Sequence, residues 1–359
     1  MEKAISVSTP GRICLFGEHQ DYLGLPVIAA AISRRVNITG NNIDAPRAII
    51  HLPDIHRNLQ FDISPEMPYT NKRDYFKSAM NILQREGYTF EKGIECTVRG
   101  TIPINSGTSS SSALLANWIY FLSRVADTPN PLFPADIAEI AYRAEVVEFN
   151  EAGGMMDHYS TAVGNIIYLE STPSIKVETL KPNLGTFVLG DSQEPKDTVG
   201  ILKRVKGGVL GAIEKIKIQY PDFSLFTAQL SDVNQITHLL TDEETELING
   251  NIANRDILLE ALTLLKSSEL DNNLLGRLLN NHQDNLREKS KISTPKIDRM
   301  IKAGLEAGAL GGKINGSGGG GCMFVYAPEN PAKVAKAIEQ EGGKAYIIRV
   351  DEGTRLNVI

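Results

Sequence analysis

The chain has 359 residues, of which 42% are hydrophobic and 22% are charged. This is an ordinary globular composition, and the length favours two domains over one. The formal net charge of −6 contains no basic surplus, which disfavours nucleic acid and anionic membranes as partners. The three cysteines lie far apart and form neither a CxxC pair nor a zinc-type cluster, so we expect reduced thiols.

No stretch approaches the roughly 18 apolar residues of a membrane span, and the first six residues contain no apolar segment typical of a signal peptide. These features predict a soluble cytoplasmic protein without a membrane partner. The oligomeric state is left open by the sequence, and we favour a monomer.

The first half of the chain alternates between strand and helix patterns. An alternation over residues 13–16 predicts a short strand that opens into the polar run 17–22, and strand patterns continue over 34–63 and 94–100. A helix pattern follows residue 113, and another covers 134–150 with Pro134 in its first turn. The apolar face of that second helix is predicted to contain Ile137, Ile140, Ala141, Ala144 and Val147.

The second half is predicted to form its own domain. Turn signals at 172–174 and 181–183 place the boundary near the middle of the chain, giving domains 1–177 and 178–359. Long helical patterns fill 198–217 and 253–310, and a strand, a helix and a strand at 323–327, 331–340 and 344–350 predict a closing βαβ unit. The fold class is α+β in two packed domains.

A serine-rich segment, residues 103–113, runs directly into an apolar helical stretch. The first N–H groups of a helix lack internal partners and carry partial positive charge, so they hold phosphate oxygens without basic side chains. Serine hydroxyls also donate to phosphate or bind a phosphate-bound Mg²⁺. The simpler alternative is a serine-rich helix cap in a mobile loop.

A glycine-rich segment, residues 313–322, precedes the strand at 323–327 and has five glycines in positions 316–321. It allows close backbone approach to a ligand. Gly316, Gly318 and Gly321 match GxGxxG, but a dinucleotide fingerprint follows a strand and opens a helix, whereas this segment leads into a strand. The alternative is a flexible turn.

Two further segments carry ionisable groups. Glu18, His19 and Asp21 crowd a strand-to-loop junction, where carboxylates and an imidazole can hydrogen-bond the hydroxyls of a sugar. A solvated polar turn is the alternative. Asp157, in an apolar setting flanked by glycines, can accept a proton from a substrate hydroxyl or simply cap a turn. Glu145, 12 residues earlier, can bind Mg²⁺ beside phosphates or be a solvated helix residue.

Together these four segments resemble, in order and spacing, the galactokinase branch of the GHMP small-molecule kinases. Residues 11–22 look like the galactokinase signature, 103–113 like the phosphate loop, 308–322 like the C-terminal glycine motif, and 154–157 like the segment with the catalytic aspartate. The resemblance implies a two-domain GHMP kinase fold, with an N-terminal domain related to ribosomal protein S5 domain 2 and a ferredoxin-like C-terminal domain. ATP and sugar would bind in the cleft between them.

The same resemblance implies roles for individual residues. Asp157 would be the base, and Arg12 the cation that orients it and steadies the transferred phosphoryl group. Ser111 and Glu145 would bind Mg²⁺. The phosphates would contact Gly107, Thr108, Ser109, Ser110 and Ser111. The sugar would contact Glu18, His19, Asp21 and Gly154.

Several positions depart from the galactokinase pattern. Cys14, Gly153 and His158 replace the usual asparagine, cysteine and glutamine and are expected beside the sugar pocket, and Thr108 replaces a leucine. Residues 191–198 also depart, and Lys196 there is predicted either to meet substrate or phosphate or to lie in a surface turn.

The predicted activity is transfer of the γ-phosphoryl group of ATP to the anomeric hydroxyl of a free hexose, with galactose favoured. The alternatives are a kinase for fucose, arabinose, an aminosugar or a mevalonate-like alcohol, and a non-catalytic sensor of sugar and ATP. The Glu-His-x-Asp-Tyr run favours a polyol over mevalonate, and an intact base with its cation argues against the sensor.

Overall fold

The structure, a computed structural model, describes residues 4–104, 106–196 and 198–357. In these ranges the chain forms an eight-stranded sheet and a four-stranded sheet. The strands of the first sheet that come from the N-terminal half are β1 Ile5–Phe16, β2 Val27–Ile43, β3 Arg47–Leu52, β4 Arg57–Asp62, β5 Gly93–Gly100, β6 Ile166–Glu170 and β7 Lys176–Leu180. The helices between them are α1 Tyr75–Arg85, α2 Ser110–Val125, α3 Pro134–Tyr142 and α4 Met156–Val163.

The second sheet contains β8 Phe187–Asp191, β9 Gly311–Ile314, β10 Cys322–Tyr326 and β11 Lys344–Ile348, in the order β11-β8-β10-β9. Its helices are α5 Thr198–Gln219, α6 Leu230–Ile236, α7 Asp242–Leu265, α8 Asn272–Glu288, α9 Pro295–Glu306 and α10 Pro331–Gln340. The predicted βαβ unit is present as β10, α10 and β11. Because β8 pairs antiparallel with both strands, β10 and β11 are parallel to each other and separated by β8.

The first sheet has the order β12-β1-β2-β5-β3-β4, where β12 is Arg355–Leu356, and β6 and β7 branch from β2. β12 pairs with Val7 and Ser8, so the last described residues return to the N-terminal sheet. β7 belongs to this sheet and crosses the predicted domain boundary at 177/178. The change from one sheet to the other therefore falls between Leu180 and Phe187, and the C-terminal segment crosses back.

β1 is much longer than the short strand that the sequence predicts, because both of its faces are covered. Cys14 packs in the core of the N-terminal domain with residues of α2. Ile13 and Leu15 point the other way, into a core shared with α7, α8 and β10. A strand buried on both faces has no polar–apolar alternation to mark its ends.

The helix predicted for 134–150 divides into α3 and a π-helical turn, Arg143–Val147. Ile137, Ile140, Ala141 and Ala144 are buried as predicted, but the assignment of Val147 to the buried face is wrong, since it is 58% exposed. A π-turn widens the helix and shifts the following residues around its axis. In the described ranges no helix has the length and apolar content needed to cross a bilayer.

Candidate active site

Arg12 joins three of the four sequence segments in one place. It lies in β1, where its backbone N–H donates to the carbonyl of Thr108 over 3.1 Å. Its Nε and Nη2 donate to Oδ1 of Asp157 at 2.9 and 2.8 Å, and its Nη1 donates to the carbonyl of Gly107. The guanidinium is buried, with a 4% exposed side chain. Arg12 therefore fixes the distance between the aspartate and the serine-rich loop.

Asp157 is the second residue of α4 and does not act as its cap. Burial alone would raise the pKa of its carboxyl, but the charges of Arg12 and His158 outweigh that effect and hold the pKa below its usual value. Both hydrogen bonds from Arg12 go to Oδ1, and a third of the side chain is exposed. Oδ2 is therefore available to accept a proton from a ligand in the cavity that Asp157 lines.

The serine-rich loop ends at the mouth of α2. Ser109 precedes the helix with a left-handed φ of 57°, and its hydroxyl makes no capping bond. That hydroxyl is buried and lies near Asp157, whose pKa it helps to lower, but it makes no hydrogen bond of normal geometry within the described residues. An unpaired buried hydroxyl beside free helix N–H groups fits a phosphate group. Thr108 is also buried, but its hydroxyl bonds to Pro103 and Ser106, which leaves its backbone as the group near a ligand.

The other predicted members of this loop differ in exposure. Ser110 is half-buried and Ser111 is exposed at the start of α2. Asn105, in the same loop, lies outside the described residues.

The glycine-rich segment connects β9 to β10 and packs on the serine-rich loop. The Asn315 side chain donates to the Gly107 carbonyl at 2.8 Å, and the Cys322 N–H donates to the Ser106 carbonyl at 2.7 Å. Gly316 has φ of 83°, and a Cβ there would lie 3.0 Å from the backbone of Gly107. Only glycine fits such a close approach of two backbones. As predicted, this segment leads into a strand and not into a helix.

A buried ion pair stabilises the glycine-rich segment. The Lys313 ammonium and the Glu18 carboxylate are both fully buried and lie 3.0 Å apart. Lys313 also donates to the carbonyls of Cys14 and Ile314, while the other Glu18 oxygen accepts the Gly316 N–H. Both oxygens of Glu18 are thus engaged within the protein. This arrangement gives Glu18 a structural role in holding the glycine-rich segment, and its direct contact with a sugar stays a prediction.

His19 is held in one tautomer by its two neighbours. Its Nε2 lies 3.0 Å from the Ser317 carbonyl, which can only accept, so Nε2 carries the hydrogen. Nδ1 then accepts from the Tyr22 hydroxyl at 2.6 Å. Burial lowers the pKa of the ring, which favours the neutral form. His19 lines the cavity, but both of its nitrogens already have partners.

Asp21 and Gly154 meet in the wall of the cavity that Asp157 also lines. Asp21 accepts the Tyr22 N–H at 2.9 Å and the Met156 N–H at 3.4 Å. A Cβ on Gly154 would overlap the Asp21 carboxylate, so any larger residue at 154 would displace that carboxylate. Burial and the nearby charge of Asp157 raise the pKa of Asp21 to about 6. At neutral pH the cavity therefore holds two ionised carboxylates that can accept hydrogen bonds from hydroxyl groups.

Glu145 lies in the π-helical turn, where its Oε2 accepts from Ser112 at 2.7 Å and from Nε2 of His158 at 2.9 Å. Burial works against ionisation, but hydrogen bonds from His158 and the serines lower the pKa of Glu145 overall. Within the described residues no group of three or more His, Cys, Asp or Glu side chains is placed to hold a metal. A single carboxylate with serine hydroxyls nevertheless suits Mg²⁺, which takes its other ligands from phosphates and water. Ser111 as a second ligand stays a prediction.

These residues surround a cavity of about 590 Å³ between the two domains. Its N-terminal wall includes Arg12, Asp21, Gly154 and Asp157, and its C-terminal wall is α5 with Thr198, Lys203 and Lys206. Gly153 and His158 lie in the wall as expected. Cys14 does not line it, because its side chain is fully buried in the N-terminal core, so the expectation that Cys14 lies beside the pocket is wrong.

Several residues of the site escaped the sequence reasoning. Lys313 lies in β9 and is the first residue of the glycine-rich segment, and a lysine at that position was the only signal of its role. Asn315, Ser112 and the link from His158 to Glu145 gave no signal, since each acts through a partner far away in the chain.

The two-domain fold and this cleft define a kinase of small molecules, and comparison with known proteins gives its family. Residues 74–165 match the GHMP kinases N terminal domain, and residues 259–345 match GHMP kinases C terminal. Residues 2–42 match the galactokinase galactose-binding signature. The chain belongs to the GHMP kinases, which transfer a phosphoryl group from ATP to an alcohol acceptor.

Curated relatives of two kinds cover nearly the whole chain. The mevalonate kinase of Thermococcus sibiricus is 28% identical over 99% of both chains. The galactokinase of Haemophilus influenzae strain Rd is 25% identical over 93% of this chain and 88% of its own.

Solved structures confirm the fold. Lactococcus lactis galactokinase in complex with galactose superposes with a TM-score of 0.86 at 20% identity, covering 99% of this chain and 95% of that one. The mevalonate kinase of Methanococcus jannaschii gives 0.74, also at 20% identity, over 98% and 99%.

Proposed function

We propose that this protein is a sugar kinase that transfers the γ-phosphoryl group of ATP to the anomeric hydroxyl of a free hexose, with galactose as the favoured acceptor. The observation that carries this proposal is the pair of carboxylates, Asp21 and Asp157, in one wall of the cavity, which we call its acceptor end. Two anionic hydrogen-bond acceptors suit a ligand rich in hydroxyl groups. The galactose-binding signature over residues 2–42 supports the same acceptor.

Asp157 acts as the base. The anomeric hydroxyl is more acidic than an ordinary alcohol, so a carboxylate with a low pKa suffices to accept its proton as the oxygen attacks. The new bond joins the anomeric oxygen to the γ-phosphorus, the bond from that phosphorus to the β–γ bridging oxygen breaks, and ADP leaves. Arg12 holds the carboxylate in place and adds positive charge near the phosphoryl group.

The serine-rich loop holds the phosphates through the α2 N-terminus and the buried Ser109 hydroxyl. Gly107, Thr108 and Ser110 contribute backbone around them. Mg²⁺, held by Glu145 and Ser111 together with the phosphates, would neutralise charge on the transferred group. In phosphoryl transfer, alignment and charge neutralisation supply most of the acceleration.

Sugar binding is assigned to Asp21, His19 and the backbone at Gly154. The neutral His19 offers its ring beside the cavity, and Gly154 lets the sugar approach the backbone next to Asp21. Glu18 would contribute to sugar binding by holding the loop that carries these residues. The protein is proposed to work as a monomer in the cytoplasm.

A mevalonate-type alcohol is the second candidate acceptor, because the mevalonate kinase of Thermococcus sibiricus is 28% identical over nearly its full length. Mevalonate carries a carboxylate, which an ionised Asp21 would repel. Arg73 and Lys203 also line the cavity, and a carboxylate would have to reach them to bind.

A panel of acceptors assayed for ADP release tests this proposal. The purified protein with ATP and Mg²⁺ would be given galactose, glucose, fucose, arabinose, galactosamine and mevalonate in turn. We expect kcat/KM for a free sugar to exceed that for mevalonate by at least about tenfold. Turnover with mevalonate alone would overturn the sugar assignment. Saturable binding of ATP and sugar without ADP formation would instead show a sensor.

A further inference from the structure

Lys196, in the unusual segment 191–198, reaches the phosphate loop from the C-terminal domain. The preceding residues are held along the glycine-rich segment, since the Ser192 N–H donates to the Gly321 carbonyl at 2.9 Å and the Gly321 N–H to the Glu194 carbonyl at 3.3 Å. Asp197 lies outside the described residues. The surface-turn alternative for Lys196 therefore does not hold, because its stem is packed between two loops.

Two neighbouring glycines define the path of the Lys196 side chain. A Cβ on Gly321 would lie 2.7 Å from Cδ of Lys196, and a Cβ on Gly107 would lie 2.9 Å from its Nζ. The stem thus passes over the glycine-rich segment, and the ammonium ends above the glycine of the phosphate loop. Gly107 is the residue whose carbonyl binds Arg12 and Asn315.

The ammonium has no counter-ion. Over the ranges that the structure describes, Lys196 forms no ion pair and no hydrogen bond, although it is half-buried. Burial, followed by repulsion from Arg12, lowers its pKa, while Asp157 and Glu18 act in the opposite direction. A partly buried charge without a partner is costly unless a ligand supplies the opposite charge.

We propose that Lys196 is a further catalytic residue, whose ammonium contacts the γ-phosphoryl group of ATP and, opposite Arg12, neutralises the charge that develops during transfer. Lysine binds phosphate as a point charge, which matches an ammonium placed over a glycine. Lys196 keeps its proton throughout, since the acceptor proton goes to Asp157. The inference depends on ATP as donor and not on which alcohol is the acceptor.

The test compares Lys196→Met, which keeps the stem and removes the charge, with Lys196→Arg, which keeps a charge. Lys217→Met is the matched control, because Lys217 is exposed in the last turn of α5, about 28 Å along the helix from Thr198. We expect Lys196→Met to lower kcat by about 100-fold, as loss of one preorganised donor does. The kcat of Lys196→Arg should be at least about tenfold higher than that of Lys196→Met, and the kcat of Lys217→Met should match the wild type.

Nucleotide binding provides a second readout that needs no acceptor. Calorimetric titration of Lys196→Met should show affinity for a non-hydrolysable β,γ-imido analogue of ATP lowered by about tenfold, and affinity for ADP lowered by less than about threefold. Equal losses for both nucleotides, or a kcat within twofold of wild type, would overturn the inference. If no acceptor supports turnover even in the wild type, the proposed function fails, and the two titrations still decide the role of Lys196.

Thermal unfolding separates a catalytic role from a structural one. Without nucleotide, the melting temperature of Lys196→Met should equal or exceed that of the wild type, because the variant removes an unpaired, partly buried charge. A lower melting temperature together with parallel losses in binding of both nucleotides would show a structural role and contradict the inference.

Discussion

The two ends of the cleft are built differently. We call the part formed by the serine-rich loop, Arg12 and the glycine-rich segment the phosphate end. There, charged groups are buried and bonded to backbone, as in the contacts of Arg12 with Gly107 and of Lys313 with Cys14 and Ile314. At the acceptor end, Asp21, Arg73 and Lys206 lie in the wall of an open cavity. Under the proposed function, the phosphate end carries out the phosphoryl transfer that the GHMP kinases share, and the acceptor end selects the substrate.

The largest effect is expected where the two ends meet. Replacing Asp157 with Asn removes the base but keeps the shape, so kcat should fall by at least about 1,000-fold. The affinity for ATP should change by less than about threefold, since the phosphates bind elsewhere. Steady-state kinetics and calorimetry would measure the two quantities, and Asp157→Ala should behave in the same way.

Asp62→Asn serves as the control for this variant, because Asp62 is exposed in β4 at the far edge of the first sheet. It should retain wild-type turnover. If Asp157→Asn kept a near-normal kcat with its best acceptor, Asp157 would not be the base.

The phosphate end should respond most strongly in stability. Lys313→Met leaves the Glu18 carboxylate buried without its partner, which should lower the free energy of unfolding by about 3–5 kcal/mol. The double variant Glu18→Gln/Lys313→Met should recover part of that loss, because no lone buried charge remains. Denaturant titration measures both values.

An exposed ion pair offers the comparison for this experiment. Lys266 and Glu178 lie 2.7 Å apart and are about half exposed, so Glu178→Gln should cost under about 1 kcal/mol. Similar costs at the two pairs would show that the Glu18–Lys313 pair does not brace the phosphate end.

The acceptor end should respond in specificity and in pH dependence. Asp21→Asn should raise KM for the sugar by about tenfold while leaving KM for ATP unchanged, because one charged hydrogen bond is lost only on the acceptor side. In the wild type, kcat/KM for the sugar should fall as pH drops through about 6, where Asp21 takes up a proton. That acid limb should be absent in Asp21→Asn.

The same carboxylate should destabilise the fold at neutral pH. Its pKa of about 6 in the folded chain exceeds the value of ~3.9 expected in the unfolded chain, so the folded state binds the extra proton between these values. Stability falls as pH rises through that window and stays lower above it. Asp21→Asn should therefore be more stable than the wild type by about 3 kcal/mol at pH 8 and nearly equal to it near pH 4. If Asp21→Asn and the wild type differed in stability by the same amount at pH 4 and at pH 8, the result would contradict a buried, ionised Asp21 carboxylate.

The smallest effect is expected at His158. His158→Gln keeps a donor to Glu145 but removes the ring packed on Tyr142. The Mg²⁺ concentration for half-maximal rate should rise a few-fold, as for other residues that orient a metal ligand, with little change in KM for the sugar. His158→Ala should raise it further. If this Mg²⁺ concentration changed in neither variant, the result would contradict Glu145 as a Mg²⁺ ligand.

Local chemistry explains which parts of the site were predictable. The serine-rich loop and the Asp157 segment each combine residue types that suit phosphate or proton transfer, and the structure places both against Arg12. The fold class followed from strand and helix patterns together with the family resemblance. Periodicity located α3 and the βαβ order of the C-terminal strands because their apolar faces repeat regularly.

The features that escaped prediction depend on distant contacts. Val147 is exposed because a π-turn interrupts the helix, and no residue pattern marks such a turn. Lys313 is buried because Glu18, 295 positions away, supplies its counter-charge. For Lys196 the sequence left a phosphate or substrate contact and a surface turn as alternatives, and its position over Gly107, which depends on distant contacts, favours the first.

Phosphorus NMR of a competition reaction tests the central claim most directly. The protein, ATP and Mg²⁺ would be mixed with equal concentrations of galactose and mevalonate, and the new phosphomonoester observed with proton coupling. The account predicts a doublet, since an anomeric phosphate couples to the single proton on its carbon. A triplet, from a phosphate on the CH₂ group of mevalonate, would contradict it.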